Sequence, residues 1–134
     1  MFKSLSKYSD VGLLIGRVGI GAIFIFFGWH KLFAGQTGWT KIGQAIGSLG
    51  IHFYPTIWGL MASLAEFGGG IFLVLGLFFR PAAILLALTM FVAFVSSFKA
   101  EPHNFTYYSR PLEMLCIALV FLFVGPGKYS IDRG

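Results

Sequence analysis

Four long apolar stretches constrain the fold of this 134-residue chain more than any other feature of its sequence. They lie at about residues 11–33, 56–79, 81–98 and 109–125. A helix needs about 20 apolar residues to cross the hydrocarbon core of a bilayer. Only 11% of the residues are charged, against about 25% in an ordinary soluble domain, and the mean hydropathy is +0.81. We therefore predict an all-α fold in which residues 1–134 form one integral membrane four-helix bundle.

The formal net charge of +5 and the single cysteine exclude several classes of function. The ten basic residues are scattered singly, so anionic lipid headgroups account for the charge and no nucleic-acid partner is predicted. One cysteine, Cys116, excludes an intrachain disulfide, a CxxC redox pair and a cysteine-built metal site within one chain. The three histidines, His30, His52 and His103, lack the spacing of metal ligands. We predict no metal and no haem.

The segment between the first two apolar stretches, residues 34–55, is mixed in character. Ile42, Ile46 and Leu49 recur at helical spacing, and Trp39 precedes them. Amphipathic helices with an aromatic anchor lie at the membrane surface. This pattern predicts a short interfacial amphipathic helix between the first two spans.

The distribution of Lys and Arg favours a topology with both termini in the cytoplasm. With the termini inside, the inner side carries five basic residues and the outer side carries four. The inner residues are Lys3, Lys7, Arg80, Lys128 and Arg133, and the outer residues are Lys31, Lys41, Lys99 and Arg110.

Three charged residues lie well away from the ends of the predicted spans: Arg17, Glu66 and Glu113. At about 1.5 Å per residue, Glu66 and Glu113 lie roughly 20 and 18 Å from the inner ends of their helices, and Arg17 lies roughly 9 Å from the inner end of its own. A charge at the centre of a span costs about 2.5 to 3.5 kcal/mol unless it is paired or used. We therefore predict one buried cluster of these three side chains. Two carboxylates and one guanidinium leave an excess negative charge, so one carboxyl group holds a proton or a further cation, Lys31 or His30, joins them.

Small residues on the first two spans favour close packing around the charged side chains. Arg17, Gly21, Phe24 and Gly28 share one face of the first span, and Glu66 lies among small residues on the second. Such a cluster has two possible roles. It either fixes the helix register and has no chemical role, or it supplies protons to redox chemistry or transport.

The order of these residues along the chain resembles that of the DoxX-like family of small four-helix bacterial membrane proteins. The matching features are Arg17 with Gly19 and Gly21, residues 28–33, Glu66 with residues 68–70, residues 75–77, Arg80 with Ala82 and Ala83, Met90 with Ala93, His103 with Phe105, Glu113, and residues 125–132. They cover nearly the whole chain.

The resemblance implies a place in the bacterial cytoplasmic (inner) membrane and a link to quinone chemistry. The family takes its name from a subunit of an archaeal thiosulfate:quinone oxidoreductase, and members are described as quinone-linked oxidoreductases or as components of membrane redox assemblies. By position, the shared polar residues are Arg17, Lys31, Glu66, His103 and Glu113.

Three functions remain open from the sequence. The first is a quinone-interacting subunit, in which Arg17 or Lys31 hydrogen-bonds a quinone carbonyl, Glu66 or Glu113 delivers protons, and a partner supplies the electrons. Further cofactor-binding candidates are His30 and His103. The second is a non-catalytic accessory subunit packed among other membrane subunits or in a homo-oligomer. The third is a small proton-coupled transporter with Glu66 as its proton site.

Overall fold

The computed structural model describes Leu5 and residues 7–132. Its elements are α1 (Ser9–Leu32), α2 (Gly35–Gly43), a 3₁₀ helix (Gln44–Leu49), α3 (Pro55–Leu75), α4 (Phe79–Ala100) and α5 (Phe105–Val124). The helices α1, α3, α4 and α5 are long and apolar enough to cross a membrane, which confirms the predicted all-α membrane fold. Lys3 and Arg133, two of the charges used to predict the orientation, lie outside the described residues.

The four long helices pack in the order α1, α3, α4, α5, with each helix contacting the next. Within the described part of the chain, the backbones of α1 and α5 do not touch, so the bundle is open on that side. We call the end that holds the start of α1, the turn between α3 and α4, and residues 125–132 the terminal end. The opposite end, with α2, the 3₁₀ helix and residues 101–104, is the loop end.

The hydrophobic core lies mainly in the half of the bundle next to the terminal end. Its largest members come from all four long helices, and the rings of Phe79 and Phe121 meet edge to face with centroids 5.4 Å apart. These members are Phe24, Leu73, Phe79, Leu86, Met90 and Phe121. The core ties the helices together at one end and leaves space between them towards the loop end.

Glycines set the position of α1 along α3. A Cβ built on Gly28 would lie 2.7 Å from the Cα of Phe67, and one on Gly21 would lie 2.7 Å from the carbonyl oxygen of Gly70. The buried residues of α1 include both glycines together with Arg17 and Phe24, which confirms the face predicted from the sequence. Because only glycine fits at these contacts, the two helices meet in one register.

The first span is interrupted near its loop end. The helix α1 ends at Leu32, and α2 begins three residues later at Gly35, whose φ of 78° lies in the left-handed region. The α2 helix then follows α3, since a Cβ on Gly43 would contact the Pro55 carbonyl and one on Gly59 would contact the Trp39 carbonyl. The predicted short helix is therefore present, and α1 and α2 together line α3 as a discontinuous helix.

Trp39 joins the two parts of this discontinuous helix. Its indole Nε1 donates to the carbonyl oxygens of Lys31 at 3.1 Å and Leu32 at 3.2 Å. The last carbonyls of a helix lack an intrahelical partner. The half-buried indole supplies a donor to the Leu32 carbonyl and a second donor to the Lys31 carbonyl, which also accepts from the Ala34 N–H at 3.2 Å. The contact also holds the end of α1 in place.

The connection between α3 and α4 differs from the sequence prediction. The chain turns at residues 76–78, with Gly76 at φ 68° and Phe78 at φ 46°, and Arg80 lies inside α4. The predicted spans at residues 56–79 and 81–98 left only Arg80 between them, which is wrong because Gly76 adopts the left-handed conformation that ends many helices. Asp132 stabilises the turn, since its carboxylate accepts from the backbone N–H groups of Phe78 at 3.1 Å and Phe79 at 2.8 Å.

Candidate functional site

A buried ion pair between α1 and α3 is the central feature of the candidate site. The Nζ of Lys31 donates to the Oε1 of Glu66 at 2.6 Å. The Glu66 side chain is 3% exposed and that of Lys31 is 34% exposed. Glu66 lies near the middle of α3, and Lys31 is the penultimate residue of α1, where the first span is interrupted. The pairing thus places a lysine from the end of α1 level with the middle of α3.

A cavity of about 780 Å³ lies on one side of this ion pair. It fills the space between α1 and α5, and we call it the α1–α5 cavity. Its lining is mostly apolar, with the addition of four charged side chains. The charged ones are Lys31, Glu66, Arg110 and Glu113, and the larger apolar ones are Phe24, Phe26, Phe27, Met90 and Met114. Because α1 and α5 both span the membrane, the gap between them opens towards the bilayer.

A second cavity, of about 290 Å³, lies on the other side of the same ion pair. It is enclosed by α2, the 3₁₀ helix, α3 and α4, and we call it the α2–α4 cavity. Lys31, Glu66 and Ala93 line both cavities, and the remaining residues of the second one are almost all apolar. The ion pair therefore forms part of the wall between two apolar spaces.

Glu113 and Arg110 lie one helical turn apart on α5 and are both exposed. Among the described residues, neither has an ion-pair partner within 4 Å. Together with the Lys31–Glu66 pair they give the α1–α5 cavity two cations and two anions. Its formal charge therefore sums to zero.

Arg17 does not join this site, which corrects the predicted cluster of Arg17, Glu66 and Glu113. Its guanidinium is fully buried at the terminal end, where Nη2 donates to the Tyr129 carbonyl at 2.6 Å. The Nε and Nη1 atoms have no hydrogen-bond partner among the described residues, and Nη1 lies against Gly76, just past the end of α3. The partial negative charge at the C-terminus of α3 favours a cation in this position.

The depth of Arg17 explains the error. The sequence estimate put Arg17 and Glu66 roughly 11 Å apart in depth at 1.5 Å per residue. In the structure Arg17 is level with Gly76, ten residues from Glu66 along α3, which corresponds to about 15 Å. An arginine side chain does not cover that distance. Lys31, considered in the sequence analysis as an additional cation, is the residue that pairs with Glu66.

The predicted histidines lie away from both cavities. His30 is exposed, and its Nδ1 lies 2.9 Å from the Phe26 carbonyl of its own helix. His103 is exposed in the connection between α4 and α5. In the described ranges, no three His, Cys, Asp or Glu side chains group together as metal ligands.

Sequence reasoning missed Arg110 as a site residue. It was counted only as a cation at the outer end of the span predicted from residue 109, but α5 begins at Phe105, so Arg110 lies in its second turn and faces the cavity. The sequence did contain a signal for the start of α5, because asparagine is a residue type that often caps a helix N-terminus. In the structure the Asn104 side chain accepts from the N–H of Tyr107 in this way.

Comparison with known proteins supports the membrane assignment. The family model described as DoxX matches residues 12–98. The "Inner membrane protein YqjF" of Escherichia coli (strain K12) is 33% identical over 132 residues, covering 96% of this chain and 95% of that protein. The "Inner membrane protein YphA" of the same organism is 29% identical, covering 95% and 96%. No solved structure matches the chain significantly. The prediction of a multi-pass inner-membrane protein is confirmed.

Proposed function

Because the chain belongs to the DoxX family, we propose that it is a quinone-interacting subunit of a membrane redox system and holds the quinone ring in the α1–α5 cavity. The observation that carries the proposal is the Lys31–Glu66 ion pair, at mid-span, in the wall of a cavity that opens towards the bilayer. Quinones are neutral, flat and soluble in the bilayer, so they reach such a cavity from the lipid.

The lining of the cavity suits such a ring. A lysine ammonium has three donors, and the bond to Glu66 uses one of them, so Lys31 retains donors for a quinone carbonyl oxygen. The aromatic side chains of Phe24, Phe26 and Phe27 lie on one wall and supply flat apolar surfaces. The zero formal charge of the cavity favours a neutral ligand over a charged one.

A bound quinone would accept two electrons and two protons to become a quinol. Glu66 and Glu113 line the cavity and are the groups of this chain that could pass protons to the ring. The sequence contains no motif for haem or flavin and only one cysteine, so the electrons come from a partner subunit. Lys31 orients the ring by its hydrogen bond and stabilises negative charge that develops on the carbonyl oxygen.

A proton-coupled transporter is the second candidate, and one observation favours it. Secondary transporters place their sites where a membrane-spanning helix is interrupted, and here the interruption between α1 and α2 adjoins the Lys31–Glu66 pair. If the transporter needs both insertion directions, a reporter fused to the C-terminus would give a mixed topology. A single uniform topology would count against that form of transporter.

We propose a single topology with both termini in the cytoplasm. The numbers of Lys and Arg at the two ends of the bundle change in two ways from the sequence prediction. Lys31 no longer counts for the loop end because it pairs with Glu66 near the middle of α3, and Arg17 now counts for the terminal end. Among the described residues, the cations of the terminal end are then Lys7, Arg17, Arg80 and Lys128, and those of the loop end are Lys41, Lys99 and Arg110. The side richer in Lys and Arg is usually cytoplasmic.

The quinone content of the purified protein tests the proposal. We expect near-stoichiometric quinone in an organic extract of the wild-type protein, its loss from Lys31→Met, and its retention in Lys41→Met. Lys41 is the matched control because it is an exposed lysine on α2 that lines neither cavity. Size-exclusion profiles and melting curves of the variants separate ligand loss from unfolding.

The opposite result has a definite meaning. If wild-type protein and both variants carry no quinone above the lipid background, the quinone proposal is rejected. The chain is then better described as an accessory subunit, and purification in mild detergent should recover it with other membrane proteins. Equal quinone in the wild type and Lys31→Met would also reject the assigned site.

A further inference from the structure

We propose that a second copy of this chain docks on the exposed face of α5 and completes the wall of the α1–α5 cavity. Of the four spanning helices α5 is the least buried, and only Ala118 and Phe121 are shielded within the described chain. Its outward side carries both apolar and charged residues. The charges identify the partner.

Arg110 and Glu113 are the charges in question. Both are exposed, both lie within the α5 span, and neither forms an ion pair with any described residue or with the other. Glu113 lies near the middle of the helix, where an uncompensated charge costs about 2.5 to 3.5 kcal/mol. The cation and the anion each require an opposite charge from outside the described fold.

A second copy supplies both opposite charges at the required depths. Two copies related by a twofold axis along the membrane normal place their α5 helices side by side, in the same direction and at the same height. Arg110 and Glu113 are separated by about 4.5 Å along the helix axis, a distance that the long arginine side chain covers. Arg110 of each copy therefore pairs with Glu113 of the other, so the dimer contains two such ion pairs. A different protein would have to match this arrangement independently.

The packing surface of α5 has the spacing that parallel helices use. Glu113, Cys116, Val120 and Phe123 recur at intervals of three and four residues on one side of α5. All four are exposed, and Phe123 is 79% exposed. The small Cys116 side chain lies at the centre of this surface, so it would face the same cysteine of the second copy.

The interface borders the candidate site. Arg110 and Glu113 line the α1–α5 cavity, so pairing across the two copies would fix both side chains in the wall of that cavity. Among the described residues of a single chain, these two charges in the wall have no ion-pair partner. This inference concerns the partner and does not depend on which ligand the cavity holds.

The native cysteine makes the proposal testable without new labels. Oxidation with copper phenanthroline in native membranes should convert the wild-type chain to a disulfide-linked dimer that a reductant reverses, and Cys116→Ser should give none. The matched control is Cys116→Ser/Leu88→Cys, which moves the cysteine to a 61% exposed position on α4. We expect about tenfold less dimer from this control than from the wild type after the same oxidation time.

Charge reversal tests the assigned pairs. Glu113→Arg places like charges across the interface and should lower the cross-linked fraction about tenfold. The exchanged variant, Arg110→Glu/Glu113→Arg, restores opposite charges and should restore the dimer. Cross-linking in Glu113→Arg equal to the wild type, or no recovery in the exchanged variant, would overturn the proposal. So would wild-type cross-linking no stronger than in the α4 control, or cross-linking only to a different protein.

Discussion

Removing Lys31 should destabilise the protein far more than removing the charge of Glu66, although the two side chains form one ion pair. The reason is their unequal exposure, 34% for Lys31 and 3% for Glu66. Lys31→Met leaves a carboxylate buried without a counter-charge. Glu66→Gln leaves an ammonium that can turn into the α1–α5 cavity, and the glutamine oxygen still accepts its hydrogen bond.

The magnitudes follow from this difference. Removing one partner of a fully buried pair costs about 3 to 5 kcal/mol, and the partial exposure of Lys31 moves the value to the lower end, about 3 kcal/mol. Glu66→Gln should cost about 1 kcal/mol, as for one exchanged hydrogen bond. The double variant Lys31→Met/Glu66→Gln carries no charge at either position and should also lie about 1 kcal/mol below the wild type. The coupling between the two positions is therefore about 3 kcal/mol.

Thermal unfolding in mild detergent, followed by tryptophan fluorescence, measures these differences. For a chain of this length each kcal/mol corresponds to about 3 to 5 °C in Tm, so Lys31→Met should unfold about 9 to 15 °C below the wild type. The double variant should recover most of that loss. Lys41→Met, an exposed lysine on α2, controls for the substitution itself and should stay within about 2 °C of the wild type.

Two outcomes would refute the reasoning. Equal losses in Lys31→Met and Glu66→Gln would mean that exposure does not govern the cost of breaking the pair. If the stability loss of the double variant equals the sum of the two single losses, the two side chains are not coupled. The ion pair would then not stabilise the candidate site.

Two further predictions concern the contacts that position the site, and both are checked by the same melting assay. Gly28→Ala should lower stability by about 1 to 3 kcal/mol, because its Cβ would meet the backbone of Phe67, whereas Gly19→Ala on the same helix has nothing within 4 Å and should be neutral or slightly stabilising. Equal effects at the two glycines would contradict the α1–α3 contact. Asp132→Ala should cost about 1 to 2 kcal/mol through loss of two hydrogen bonds at the start of α4, while an unchanged Tm would show that this carboxylate does not hold the turn.

Much of the architecture could be read from local sequence. The lengths of the apolar stretches predict four spans, and the small residues of α1 identify its buried face as Arg17, Gly21, Phe24 and Gly28. The start of α5 could also have been found, since Asn104 is a typical capping residue. These features depend on neighbouring residues alone, so a pattern of hydropathy or spacing is enough to detect them.

The membership of the candidate site was only partly predictable. Glu66 and Glu113 line one cavity, and Lys31 was considered as an additional cation. Arg17 was assigned to the same cluster because its distance from Glu66 was counted along single helices. The contact that excludes it comes from Tyr129, 112 residues later in the chain, and no local pattern indicates that contact.

The sequence by itself therefore determined that this chain spans the membrane four times and that its spans carry charged groups which need partners. Only the tertiary structure decided which groups meet. The position of α1 along α3 depends on how Gly21 and Gly28 fit the opposite backbone, and this register brings Lys31, at the end of α1, level with Glu66 near the middle of α3. Hydropathy records how much of a helix is apolar. The pairing of charges depends on the relative translation of two helices, which is set by shape at their contact.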